Sequence, residues 1–141
     1  GKNPKFKLQN PKWPLHTFYP PLPPANFTDT DDNESTVSSS LISAGCSIDG
    51  ATINHSVLGF RVFANDGAQI DGSVLIGDNI IGKGAKLRNV ILDRYVEVAP
   101  NFTLGYDKQK DDELLNDPKN KLIVRSANGI IVVPQHARLG F

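Results

Sequence analysis

Residues 73–87 read SVLIGDNIIGKGAKL. From Gly77 the letters G-D-N-I-I-G-K satisfy the first seven positions of the nucleotide-cradling pattern G-x-x-x-x-G-K-[ST]. The eighth position holds Gly84, where that pattern needs a hydroxyl for magnesium. The following residues, Ala85-Lys86-Leu87-Arg88-Asn89-Val90-Ile91-Leu92, are rich in branched side chains and have no helical stripe. No helix N-terminus is therefore expected to complete an anion site. The meaning of the stretch lies in its neighbours.

Cut into blocks of 17 from Val37, the chain gives VSSSLISAGCSIDGATI, NHSVLGFRVFANDGAQI, DGSVLIGDNIIGKGAKL and RNVILDRYVEVAPNFTL. The last column reads Ile53, Ile70, Leu87, Leu104, and the fifth reads Leu41, Leu58, Leu75, Leu92. Alanines recur two places before the end, at Ala51, Ala68 and Ala85. Beside them stands the column Gly50, Gly67, Gly84, Asn101. Glycine, and less readily asparagine, accepts the positive φ that a tight corner between short strands demands. A short period of branched strands without helices predicts a β-solenoid. Three sides of five or six residues make it the hexapeptide type, an all-β left-handed parallel β-helix of about four coils over residues 36–105. In this reading the lysine-glycine pair belongs to a scaffold corner.

The flanks differ in composition. Residues 1–27 hold seven of the ten prolines and the aromatics Phe6, Trp13, Phe18, Tyr19 and Phe27. The segment up to residue 35 is expected to be an extended linker that lies across another surface with its aromatics as anchors. Residues 106–141 are expected to be a charged excursion, with one or two helical turns at most, and a capping hairpin around Ser126-Ala127-Asn128-Gly129.

Composition excludes several classes. Net charge is zero, so no general electrostatic case exists for nucleic acid or an anionic membrane. No apolar run approaches the roughly 20 residues of a membrane helix. One cysteine, Cys46, excludes an internal disulfide and, with no signal segment, points to the cytoplasm. Cys46 shares a column with Phe63 and Ile80 and reads as a small core residue. Asp29, Asp31 and Asn33 imitate the start of a calcium loop, but Glu34 and Ser40 occupy places that need glycine and glutamate. His16, His55 and His136 lie too far apart in the chain for a three-histidine zinc site. The chain starts at Gly1 and contains no methionine, which reads as a piece of a longer protein.

A family resemblance rests on WPLHTFYPPLPPANF (13–27), SLISAGCSIDGATINHSVLGFRV (40–62), VILDRYVEVAP (90–100) and NGIIVVP (128–134). These segments resemble the linker, β-helix and closing strand of bacterial ADP-glucose pyrophosphorylase, glucose-1-phosphate adenylyltransferase. The resemblance implies a C-terminal domain for regulation and oligomerisation, in a homotetramer that makes ADP-glucose for glycogen or starch. Magnesium and ATP would belong to an N-terminal catalytic domain whose motifs are absent here, leaving this piece inactive alone and without cofactors. Phosphorylated metabolites would be the effectors. By the same resemblance Arg94 is the first candidate for reading an effector anion, followed by Arg61, with Arg138 or His136 in place of an activator-site lysine where Gln135 stands. Each has an ordinary alternative as an exposed or ion-paired surface group. Two other readings remain open: a hexapeptide acyltransferase using coenzyme A, with His55 as base, and the tail of another sugar-1-phosphate nucleotidyltransferase.

Overall fold

The computed structural model describes residues 22–141. The expectations for Phe6, Trp13, His16, Phe18 and Tyr19 fall outside the described residues. The first strand, β1 (Asn26–Thr28), is followed by a coil of β2 (Thr36–Ser38), β3 (Leu41–Ile42) and β4 (Ser47–Asp49). The second coil is β5 (Thr52–Asn54), β6 (Val57–Phe60) and β7 (Phe63–Ala64). The third is β8 (Gln69–Asp71), β9 (Val74–Gly77) and β10 (Ile80–Ile81), and the fourth is β11 (Lys86–Arg88), β12 (Val90–Leu92) and β13 (Glu97–Val98). After β14 (Thr103–Leu104) the chain leaves the stack through α1 (Lys108–Asn116), a 3-10 turn at Pro118–Asn120 and β15 (Val124–Arg125). It returns as β16 (Ile131–Val133) and β17 (Arg138–Leu139).

Strands one coil apart pair in parallel and form three sheets. Sheet I runs β1-β4-β7-β10-β13-β17, sheet II runs β14-β11-β8-β5-β2, and sheet III runs β15-β16-β12-β9-β6-β3. The hexapeptide solenoid is thus present, with about five turns in place of four. The fifth turn is the stretch expected to be a capping hairpin. The hairpin exists, since β15 pairs antiparallel with β16, but β16 and β17 also extend sheets III and I in parallel. At the other end β1, placed in the linker by the sequence, pairs in register with β4. The solenoid therefore starts before residue 36 and ends after residue 105.

Inward columns stack down the axis. Ile53, Ile70, Leu87 and Leu104 form one, and Leu58, Leu75, Leu92 and Val133 another, all 1% exposed or less. A buried corner is held by a serine ladder. The Ser56 amide donates to Ser40 Oγ at 3.0 Å, the Ser73 amide to Ser56 Oγ at 3.0 Å, and the Val90 amide to Ser73 Oγ at 3.3 Å. Each hydroxyl in turn donates to a carbonyl two residues earlier, which satisfies polar groups that burial would otherwise penalise.

The first coil differs from the block alignment by one residue. Leu41 pairs with Val57 and Ile42 with Leu58, a spacing of 16, whereas Val57 pairs with Val74 and Ile53 with Ile70, a spacing of 17. Leu41 consequently faces outward, 70% exposed, and Ile42 takes the inward place assigned to it. The extra residue of the second coil falls between Ala64 and Gly67, where Asp66 accepts from Thr30 Oγ1 at 2.6 Å and Asn33 Nδ2 at 2.8 Å. The same slip corrects the Cys46 column. Phe63 pairs with Ser47 and with Ile80 and faces outward, while Cys46, one residue before Ser47, is buried at 2%. Burial pushes its thiol pKa up, as expected for a core cysteine.

α1 is longer than the expected turn or two, with nine residues. Asp107 caps it by accepting from the amides of Gln109 and Lys110. The buried Asp111 carboxylate accepts from the Gly105 amide at 3.1 and 3.2 Å, tying the helix to the strand end, and Leu114 and Leu115 pack on the core.

Candidate functional site

Three corners of the prism carry left-handed backbone. One is the expected glycine corner, where Gly50, Gly67, Gly84 and Asn101 have φ of 66, 76, 70 and 62°. A second carries large polar side chains instead: Arg61, Asp78, Tyr95 and His136, at φ 58, 53, 61 and 67°. Their amides donate to Ala44, Phe60, Gly77 and Arg94 carbonyls respectively, one coil earlier in the stack. Large side chains take this conformation only where the surroundings enforce it, and such positions concentrate at functional sites.

On this corner Arg61 grips Asp78 with two parallel bonds, Nε to Oδ1 at 2.5 Å and Nη2 to Oδ2 at 3.0 Å. Arg94 approaches the same carboxylate with Nε 3.8 Å from Oδ2, beyond hydrogen-bond range. The Arg61 hydrogen bond holds the Asp78 carboxyl below the usual carboxylate range, with burial opposing it and Arg94 assisting. The imidazole of His136 stacks on Tyr95, centroids 5.0 Å apart and planes within 4°. Arg61 is thus occupied, whereas Arg94 is 43% exposed and keeps donors for an incoming anion.

The structure brings Arg61 and Arg94 together on one carboxylate but leaves Arg138 apart. Arg138 lies on β17, with Nε 3.6 Å from Glu97 and its guanidinium 4.2 Å over the Phe141 ring. It lines a groove of about 790 Å3 at the C-terminal end of the stack, together with Lys119, Lys121 and His136. His55 is exposed on a third corner at φ 49°, its amide donating to Ser38 O. Asp29 and Asn33 serve the loop before β2, accepting from the Ser35 amide and donating to Asp66. Among the described residues no group of three histidines, cysteines or carboxylates is placed to hold a metal. Nor is any described helix long and apolar enough to cross a membrane. Sequence reasoning missed Asp78, the residue that joins the two arginines. Its signal was present: Asp78 stands 17 residues after Arg61 and 17 before Tyr95.

Comparison with known proteins agrees with the fold. The family model described as GlmU-like, C-terminal hexapeptide, matches residues 23–133. The chain is 42% identical over 136 residues to glucose-1-phosphate adenylyltransferase 1 of Vibrio vulnificus, covering 96% of this chain and 32% of that protein. It is 42% identical over 140 residues to the glucose-1-phosphate adenylyltransferase of Aliivibrio fischeri, covering 99% and 33%. A more distant relative of the same name, from Corynebacterium jeikeium, is 33% identical over 130 residues. The chain spans about a third of the length of these relatives, matching their C-terminal part.

Proposed function

This chain belongs to the GlmU-like C-terminal hexapeptide family, and from that premise we propose that it is the C-terminal part of a glucose-1-phosphate adenylyltransferase. The observation that carries the proposal is a similarity to enzymes of that name that runs along 96–99% of the chain at about 42% identity. The whole protein would transfer AMP from ATP to glucose 1-phosphate and release pyrophosphate. Magnesium would shield the phosphates, and the setting would be the cytoplasm. The catalytic residues would lie in the remaining two thirds of the polypeptide, and the stack described here would be inactive alone.

Its own contribution would be assembly into an oligomer and control by phosphorylated metabolites. Arg94 is the residue best placed for the second task, because its guanidinium is half exposed and only loosely drawn to Asp78. Arg61 would act through Asp78, holding that carboxylate so that it does not capture Arg94 outright. Arg138, on the groove at the C-terminal end, would serve a separate anion.

Pyrophosphate release by the full-length protein tests the reading. ATP with glucose 1-phosphate should support turnover, while UTP, GTP and dTTP with other sugar phosphates should not. Turnover with a different pair would assign the chain to another sugar nucleotidyltransferase. Acetyl transfer from acetyl coenzyme A would overturn it in favour of an acyltransferase.

A further inference from the structure

The turn between β15 and β16 contains Asn128-Gly129, the one Asn-Gly pair in the sequence. An asparagine side-chain amide is open to attack by the backbone nitrogen that follows it. Glycine, having no Cβ, leaves that nitrogen unshielded, and asparagine is among the residues that limit thermal endurance. Ser126, Ala127, Asn128 and Gly129 are all exposed. A Cβ on Gly129 would meet nothing within 4 Å. Among the described residues none hydrogen-bonds the Asn128 side chain. The Gly129 amide donates to Ser126 O at 2.9 Å, a bond that closes the turn locally. It can open without parting β16 from its parallel partner β12.

Asp-Gly pairs are open to the same attack, and the stack carries three: Asp49-Gly50, Asp66-Gly67 and Asp71-Gly72. Their surroundings differ from those of the hairpin turn. The Gly50, Gly67 and Gly72 amides donate to Thr28 O, Gly50 O and Asn54 O at 2.8, 2.9 and 3.0 Å, each on a neighbouring coil. The Asp66 carboxylate is further held by Thr30 and Asn33. To react, each of these nitrogens must leave its bond between coils and turn toward its own side chain inside a packed corner.

We propose that Asn128 is a site of spontaneous deamidation in the folded protein, and that the three Asp-Gly corners are protected from the equivalent reaction. The Gly129 nitrogen gives up its proton to solvent base and bonds to Asn128 Cγ. The bond from Cγ to the side-chain nitrogen breaks, and that nitrogen leaves as ammonia. Water then opens the cyclic imide at either carbonyl, giving aspartate or isoaspartate. The sum is amide plus water to acid plus ammonia, with no oxidant or reductant. A neutral turn gains a negative charge and, in the iso form, an extra backbone methylene just before β16 joins sheet III.

The 141-residue protein is incubated at mildly alkaline pH, folded and unfolded in guanidinium chloride side by side. Peptide mapping by mass spectrometry, with isoaspartyl methyltransferase labelling after removal of denaturant, then follows Asn128 and the three aspartates over time. Folded Asn128 should convert at a rate within severalfold of the unfolded chain, and faster as pH rises. Asp49, Asp66 and Asp71 should stay at background in the folded protein and react only in the unfolded one. Asn128→Gln should bring labelling of the turn to background, because its longer side chain must close a larger ring. Circular dichroism checks that this variant is folded, and the wild-type comparison decides the matter even if it is not. Asn128 that stays intact in the folded protein while the unfolded form converts overturns the proposal. Isoaspartate that accumulates as fast at any of the three corners also overturns it.

Discussion

Two glycines show how differently one residue type can be required. Gly84 sits at φ 70°, where an L side chain costs about 1–2 kcal/mol. A Cβ there would stand 2.3 Å from Asn101 Oδ1, the end of a side chain that can turn away. Gly59 has ordinary backbone, yet its Cβ would stand 1.9 Å from the Ile76 carbonyl oxygen, so a methyl must push two strands apart. Gly59→Ala is therefore expected to lower the melting temperature more than Gly84→Ala, as measured by thermal denaturation followed by circular dichroism. The Gly84 corner was legible because it recurs in a column. Gly59 has no such column, and its role depends on how closely β6 approaches β9, which a sequence does not display. Asp78 gives a pH signature at the same scale. Arg61 lowers its folded-state pKa below the unfolded value of about 3.9. Its contribution is present above that value and is lost as pH falls through the lower folded-state pKa. Thermal stability should drop as pH is taken below about 4, and Asp78→Asn should make that drop shallower. The dependence will not vanish, since Asp66 and Asp112 are shifted the same way by Thr30 and Arg125. Identical slopes for variant and wild type would contradict the assignment.

At the scale of elements, the strands of the second to fourth coils follow from branched residues recurring at a fixed spacing. The first coil did not reveal its register, because Leu41 and Ile42 are both aliphatic and either could have faced inward. The closing strands were read as a hairpin, since local turn residues mark β15 and β16 while the parallel partners lie some forty residues away. Helix α1 was underestimated for a related reason. Its sequence KQKDDELLN has almost no apolar stripe, and its order comes from the Asp107 cap and the buried Asp111. Asp107→Ala should cost about 1 kcal/mol and fray the helix first, visible as faster amide exchange at Gln109 and Lys110. Leu75→Ala, in the middle of an inward column with no exposure, should cost about 2–5 kcal/mol because the stacked neighbours cannot close the gap. Denaturant titration of both variants orders them, and an Asp107 loss equal to that of Leu75 would mean the excursion is part of the cooperative core.

The whole molecule divides its labour by face. Sheet II meets water, sheet III presents an aliphatic surface, and the corner between β6 and β7 and its equivalents carry Arg61, Asp78, Arg94, Tyr95 and His136. A stack of this kind places charged groups at fixed heights along a rigid axis. The proposed role is that this stack controls a reaction carried out elsewhere in the polypeptide. The most direct test is the response of the full-length protein to fructose 1,6-bisphosphate, with pyrophosphate release measured for wild type and Arg94→Ala. Loss of one charge-assisted contact should shift the half-saturating effector concentration by about tenfold or more. Superimposable response curves would show that this corner reads no effector, and the claim would fail.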